Sequence, residues 1–197
     1  FYDPVDLEVG DFEYGAYLGF ISDVDNIEPE YRGDVAGTAF YRRAFSPSLL
    51  LGAAVQAAEE SQAVAGELRW VPQVFPGSLD STLAVSNADN GQGYAARVGY
   101  RWGSSTVIGG RQLNLLADFE SSKYSPLSRP DFLNEKSLSL TANYGQNISR
   151  RSYISGGVNY FKRGDSFSRT TASVDLLHQF TLRLRGTLGA EYSENDG

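Results

Sequence analysis

Apolar and polar residues alternate along most of this chain with a period of two. The pattern is plainest over residues 181–193, TLRLRGTLGAEYS. Leu182, Leu184, Gly186, Leu188, Ala190 and Tyr192 take the even positions there, and Arg183, Arg185, Thr187, Gly189 and Glu191 the odd ones. Successive side chains of a strand point to opposite sides. The stretch therefore predicts a strand with one apolar face ending in an aromatic ring and one face of charged and small groups.

The pattern recurs from the start of the chain. Phe12, Tyr14, Ala16, Leu18 and Phe20 alternate with Glu13, Gly15, Tyr17 and Gly19. Further strands are expected over 34–43, 49–58, 62–71, 79–87, 94–102, 112–120, 135–146, around 154–160, and over 168–179. Leu116 breaks the alternation of its strand. The first ten residues, FYDPVDLEVG, read as an extended lead-in, SDVDNIEPEYRG as an acidic loop, and DNGQG as a tight turn. No segment carries a helical stripe with caps.

Strand length gives the pattern a direction. Eleven strands of about 9–12 residues are joined without a helix, whereas strands of soluble proteins run most often to about five or six. A transmembrane strand needs about 9–11 residues and shows itself as alternation, not as an apolar run. The apolar faces tend to end in Tyr or Trp, at Trp70, Trp102, Tyr144, Tyr160 and Tyr192, as an interfacial girdle requires. The polar faces carry Glu67, Arg69, Arg97, Arg101, Asp118, Glu120, Asp175, Arg183, Arg185 and Glu191, which are tolerable where water fills a lumen. The fold class expected is all-β: an antiparallel transmembrane β-barrel, or part of one, in meander order. Residues 1–197 then form a single barrel section, and those ten residues line its pore. Its surroundings would be outer-membrane lipid in a Gram-negative bacterium.

Composition narrows the alternatives. With 21 Gly, 12 Tyr and 11 Phe beside neither Cys nor Met, the chain favours β-structure and excludes disulfides and thiolate metal sites. A formal charge of −7 argues against wrapping a nucleic-acid backbone. No signal peptide is visible and the first residue is Phe, so both ends are expected to have been cut from something longer.

The segment TAFYRRAFSPSLLLGAAVQ adds a family likeness. Phe40-Tyr41-Arg42-Arg43, a short turn, and a Leu-rich strand over 49–56 closing in Gln resemble the barrel of a fimbrial outer-membrane usher. The later PGSLDSTLAVS and SLSLTANYGQNISRRSYISGGVNY are in the same manner. That likeness covers about residues 10–193. It implies a wall section of a pore that passes pilus subunits across the outer membrane, without catalysis or cofactor. The periplasmic chaperone and the subunits themselves would engage domains absent from this sequence.

Three rivals are distinguishable. A general porin or solute channel would use the same strands, and a loop folded into the lumen would favour it. A soluble surface β-sandwich, such as an adhesin, would bury the apolar face as its core. An enzyme would have to draw on the single imidazole, His178, with Ser168, Ser173 and Asp175. Asp118 with Glu120, as an acid/base or cation pair, and the stretch DVDNIEPE, as a calcium loop, are better read as lumen lining and as a solvated loop.

Overall fold

The computed structural model describes residues 8–196, apart from 26–27, 60, 73–75, 105, 107, 127–134 and 182; the side chains of 21–25 and 28–34 are also outside that description. Most of the expected lead-in, and Leu182 of the apolar series, therefore fall outside the described residues.

Eleven antiparallel strands follow one another in chain order, each hydrogen-bonded to the next. They are β1 (Phe12–Asp25), β2 (Glu28–Ser46), β3 (Leu49–Ala57), β4 (Ser61–Trp70), β5 (Ser78–Ala88), β6 (Gly91–Gly103), β7 (Arg111–Glu120), β8 (Ser137–Asn147), β9 (Ser152–Arg163), β10 (Phe167–Gln179) and β11 (Arg185–Asp196). No helix occurs among the described residues. The all-β meander of long strands is thus the fold, and the number of strands is the number the alternation predicts.

Two boundaries differ from expectation. The acidic stretch after residue 21 is paired backbone, since β1 and β2 continue beyond an irregularity between Phe20 and Ser22 through Asp23↔Glu30 to Asp25↔Glu28. Acidic residues and Pro29 disfavour a strand locally, but the register set by the apolar half of the hairpin carries the ladder onward. The described part of the acidic stretch is accordingly a strand pair and not the loop expected. At the other end, residues 181, 183 and 184 precede the strand, which starts at Arg185. Phe180 and Thr181 N–H groups donate to the Leu184 carbonyl at 3.0 and 3.2 Å, and Thr181 Oγ1 accepts from the Leu184 N–H at 3.0 Å.

The described residues group into two compact units. The first comprises Phe1–Trp70, Ser81–Ala96 and Glu120–Glu135; the second comprises Val71–Asp80, Arg97–Phe119 and Lys136–Gly197. In the first unit, registers align Ala16, Ala39, Val55 and Val64 in one row on one face. The adjacent row on the other face holds Tyr17, Thr38, Gln56 and Ala63. In the second unit, Ala142, Val158, Ala172 and Tyr192 share one row, and Thr141, Asn159, Thr171 and Ser193 lie on the opposite face.

The faces are inverted with respect to a soluble domain. Among the described residues the buried hydrophobic side chains are three alanines, Ala44, Ala63 and Ala84, and the buried polar ones are Ser86 and Ser125. Large apolar side chains lie bare instead: Val64 is 58% exposed, Leu83 62% and Leu188 74%. A water-soluble sandwich packs its apolar face against a second layer. Here that face has no such cover in either unit, and it exceeds by far the scattered apolar exposure that any soluble surface shows.

Neighbouring residues of β9 provide a direct check. Val158→Arg, on the apolar face, is expected to destabilise the folded protein in lipid vesicles by about 2–4 kcal/mol if that face meets the middle of a bilayer. Asn159→Arg, one residue on and facing the other way, should change stability by less than about 0.5 kcal/mol. Denaturant titrations giving both variants the same cost would contradict the sidedness.

Candidate functional site

Because side chains alternate, the strands of each unit deliver half of their residues to a polar face, and the cross-strand ion pairs fall there. In the first unit the row Glu13, Arg42, Gly52, Glu67 crosses β1–β4. Arg42 and Glu67 are separated by one strand, yet Arg42 Nη2 donates to Glu67 Oε1 at 3.3 Å. The second contact, Nε to Oε2 at 3.0 Å, lacks hydrogen-bond alignment and acts through charge alone. Gly52 lies between them, where a Cβ would stand 3.0 Å from Arg42 Cγ and 3.3 Å from Glu67 Oε2. Its missing side chain lets the pair close over the intervening strand. Arg42 also stands 5.4 Å from the centre of the Phe40 ring, which in turn stacks with Tyr17 at 6.5 Å.

In the second unit Arg97 Nε donates to Asp118 Oδ1, and Arg101 Nη2 donates to Asp80 Oδ2 at 3.1 Å. Leu116, the exception to alternation, covers buried Gly99, whose Cβ would lie 3.7 Å from Leu116 Cδ1. These partly exposed pairs add little stability. What they do is set opposite charges side by side along the polar face.

Of the ten expected wall residues, the structure joins Arg97 to Asp118 and gives Glu67 and Arg101 partners of their own. Arg69 lies opposite Leu50 near the end of β4, and Glu120 closes β7. Asp175 stands between Ser155 and Gly189, and Glu191 opposite Ser173, on the polar face of the second unit. Arg185 opens β11 opposite Gln179, whereas Arg183 precedes that strand. Arg42 and Asp80 complete cross-strand ion pairs on the polar face that inspection of single strands misses. Their signal is charge complementarity between neighbouring strands, legible once the register is known.

A further component of the face comes from outside the strands. After β7 the chain turns back, and residues 121–126 lie on the polar side of β4–β6. Ser121 N–H donates to the Tyr94 carbonyl at 2.9 Å while Ser121 Oγ accepts from Tyr94 N–H at 2.8 Å. Ser125 N–H donates to Ser86 Oγ at 2.9 Å, and Ser61 Oγ donates to the Ser125 carbonyl at 3.1 Å. Ser86 and Ser125 are each 1% exposed, which makes this the most occluded place among the described residues. Gly93 makes the seat, since a Cβ there would overlap the backbone of Lys123 and Tyr124.

The catalytic arrangement is not assembled. His178 Nδ1 lies 2.9 Å from Ser152 Oγ, with Phe180 against its ring at 4.7 Å. Asp175 and Ser173 are an odd number of residues from His178 along the same strand, so they point to the opposite face. Ser168 is ten residues away, roughly 33 Å along a strand.

No protein-family model matches the chain, and no curated protein matches it. Among solved structures it is similar to a KdgM porin, at 13% identity and a TM-score of 0.39, over 93% of this chain and 96% of that one. The usher reading is thereby corrected: the solved structure found is a porin and not a fimbrial usher. The strand motif that suggested an usher has a local explanation. Phe40 and Arg42 serve the polar wall, Tyr41 and Arg43 the other face, and residues 47–48 form the turn of an ordinary hairpin into β3.

Substituting Gly93 tests how residues 121–126 are held. Gly93→Val should free the segment from the wall and raise the rate of tryptic cleavage after Lys123 roughly tenfold or more, as expected when a locally closed segment opens. Gly66→Val, at a glycine whose Cβ would meet nothing within 4 Å, should leave that rate unchanged. Equal cleavage in both variants would show that the seat at Gly93 does not hold the segment.

Proposed function

We propose that this chain forms the wall of a passive channel in the outer membrane, a β-barrel of the general-porin kind whose polar face borders a water-filled lumen and whose apolar face meets lipid. The observation that carries the reading is the inversion of the two faces. Long paired strands satisfy their backbone groups within the sheet, as hydrocarbon demands. Their bare apolar side chains then find a solvent in acyl chains, while Arg, Asp and Glu find water on the other side. Stacked rings on the apolar side, Phe12 with Tyr14 and with Tyr41 at 6.1 Å each, suit the headgroup boundary.

The segment 121–126 refines this reading. A loop laid on the polar face narrows the passage at its own level and contributes Lys123, whose Nζ lies near Gly91, to whatever passes. Selection would follow from bore and from wall charge, with no bond made or broken.

Reconstitution into planar bilayers tests the proposal. The folded protein should give stepwise conductance in KCl. Lys123→Glu should shift the reversal potential in a KCl gradient toward cations, because it replaces a positive charge by a negative one on the wall. Val64→Glu, on the apolar face, should not shift it. A protein that gives no steps and stays monodisperse in buffer without detergent would refute the channel.

A further inference from the structure

The polar face of the second unit contains a concavity that the conduction of ions does not require. It measures about 610 Å³ and its lining includes Arg101, Gln112, Asn143, Tyr153, Ser173 and Asp175. That volume lies within the range of small-molecule sites, about 300–1,000 Å³. Asn143 and Ser173 are brought to it by register, in the row Asn143, Gly157, Ser173 across β8–β10.

Tyr153 gives the concavity a floor. The side chain starts on β9, and its hydroxyl accepts a hydrogen bond from Gln112 Nε2 on β7, two strands away. On the way it passes over Gly145 of β8, where a Cβ would overlap the phenol oxygen. The ring reaches across one strand spacing, so that its hydroxyl lies over β8 where Gln112 meets it; a ring so placed lies along the sheet instead of standing out from it, and it lines the cavity.

The charges restrict the ligand. Arg101 is already matched by Asp80 at 3.1 Å, whereas no cation pairs with Asp175 among the described residues. An anion would therefore find no free positive group and one free carboxylate. The other groups are amides and hydroxyls, able to donate and accept, above an aromatic plane. Hydroxyl groups of a pyranose match the amides, the serine and the carboxylate, and its C–H face matches the ring.

We propose that this cavity is a binding subsite for an uncharged saccharide on the channel wall. The proposal deepens the channel reading and rests on it for the ligand's route to the cavity.

The test uses the whole folded chain in a detergent without a sugar headgroup, titrated calorimetrically with maltotriose. The control ligand is maltotriose with its C6 hydroxymethyl groups oxidised to carboxylates, which keeps the skeleton and adds only charge. Maltotriose should bind and the oxidised form should bind more weakly. Tyr153→Ala should weaken maltotriose roughly five- to tenfold, Tyr153→Phe should retain most of the affinity, and the double variant Asn143→Ala/Ser173→Ala should weaken it about tenfold. Folding of each variant is checked by its heat-modifiable migration on gels, and a variant that fails this check is replaced by Asn143→Ala alone. No binding of maltotriose, tighter binding of the oxidised form, or unchanged affinity in folded Tyr153→Ala would each overturn the subsite. Conductance is recorded on the same preparation. Binding without conductance would refute the channel and leave the subsite standing, while conductance without binding would do the reverse.

Discussion

Everything in this molecule depends on backbone hydrogen bonds being completed between neighbouring strands. Each strand pairs with the next in an antiparallel ladder, so the interior N–H and C=O groups need neither water nor side chains. Freed from that duty, the side chains can divide by polarity alone. The chain uses the freedom in an unusual direction, leaving its large apolar groups bare and burying alanine and serine where a soluble protein buries leucine and phenylalanine.

The polar face shows what the small residues are for. Gly52 lets Arg42 reach Glu67 across a strand, and Gly93 lets residues 121–126 rest on the wall. The same economy of side chains that leaves room for water also leaves room for chain and for cross-strand ion pairs. A wall built of large groups would close on itself; one built of small groups can be furnished selectively, with a loop in one unit and a cavity in the other.

Much of the fold was legible because alternation is a strong signal when it repeats at similar length. The faces of residues 12–20, 49–57 and 138–144 follow directly from parity, and so does the polar side on which Glu67, Arg97 and Asp118 lie. What parity does not report is register, and that is where the reading stopped short. Arg42 and Asp80 look like isolated charges until the neighbouring strands are aligned. The acidic stretch after residue 21 looks like a loop because composition speaks against pairing that the hairpin nonetheless carries through. Residues 121–126 offer only serine, lysine and tyrosine in a polar connection, and nothing local announces that they fold back. The likeness to ushers arose from the same limit, since strand-and-turn patterns are shared by hairpins of any parentage.

The absence of large buried side chains among the described residues has a thermodynamic consequence. Unfolding of an ordinary domain uncovers apolar surface and so raises the heat capacity steeply. In this chain most of that surface is uncovered already, and what it touches in the native state is supplied by the surroundings. Thermal melting should therefore show a shallow stability curve with a small heat-capacity increment per residue. In the membrane setting proposed above, the melting point should be governed less by the polypeptide than by the chain length and packing of the amphiphile around it.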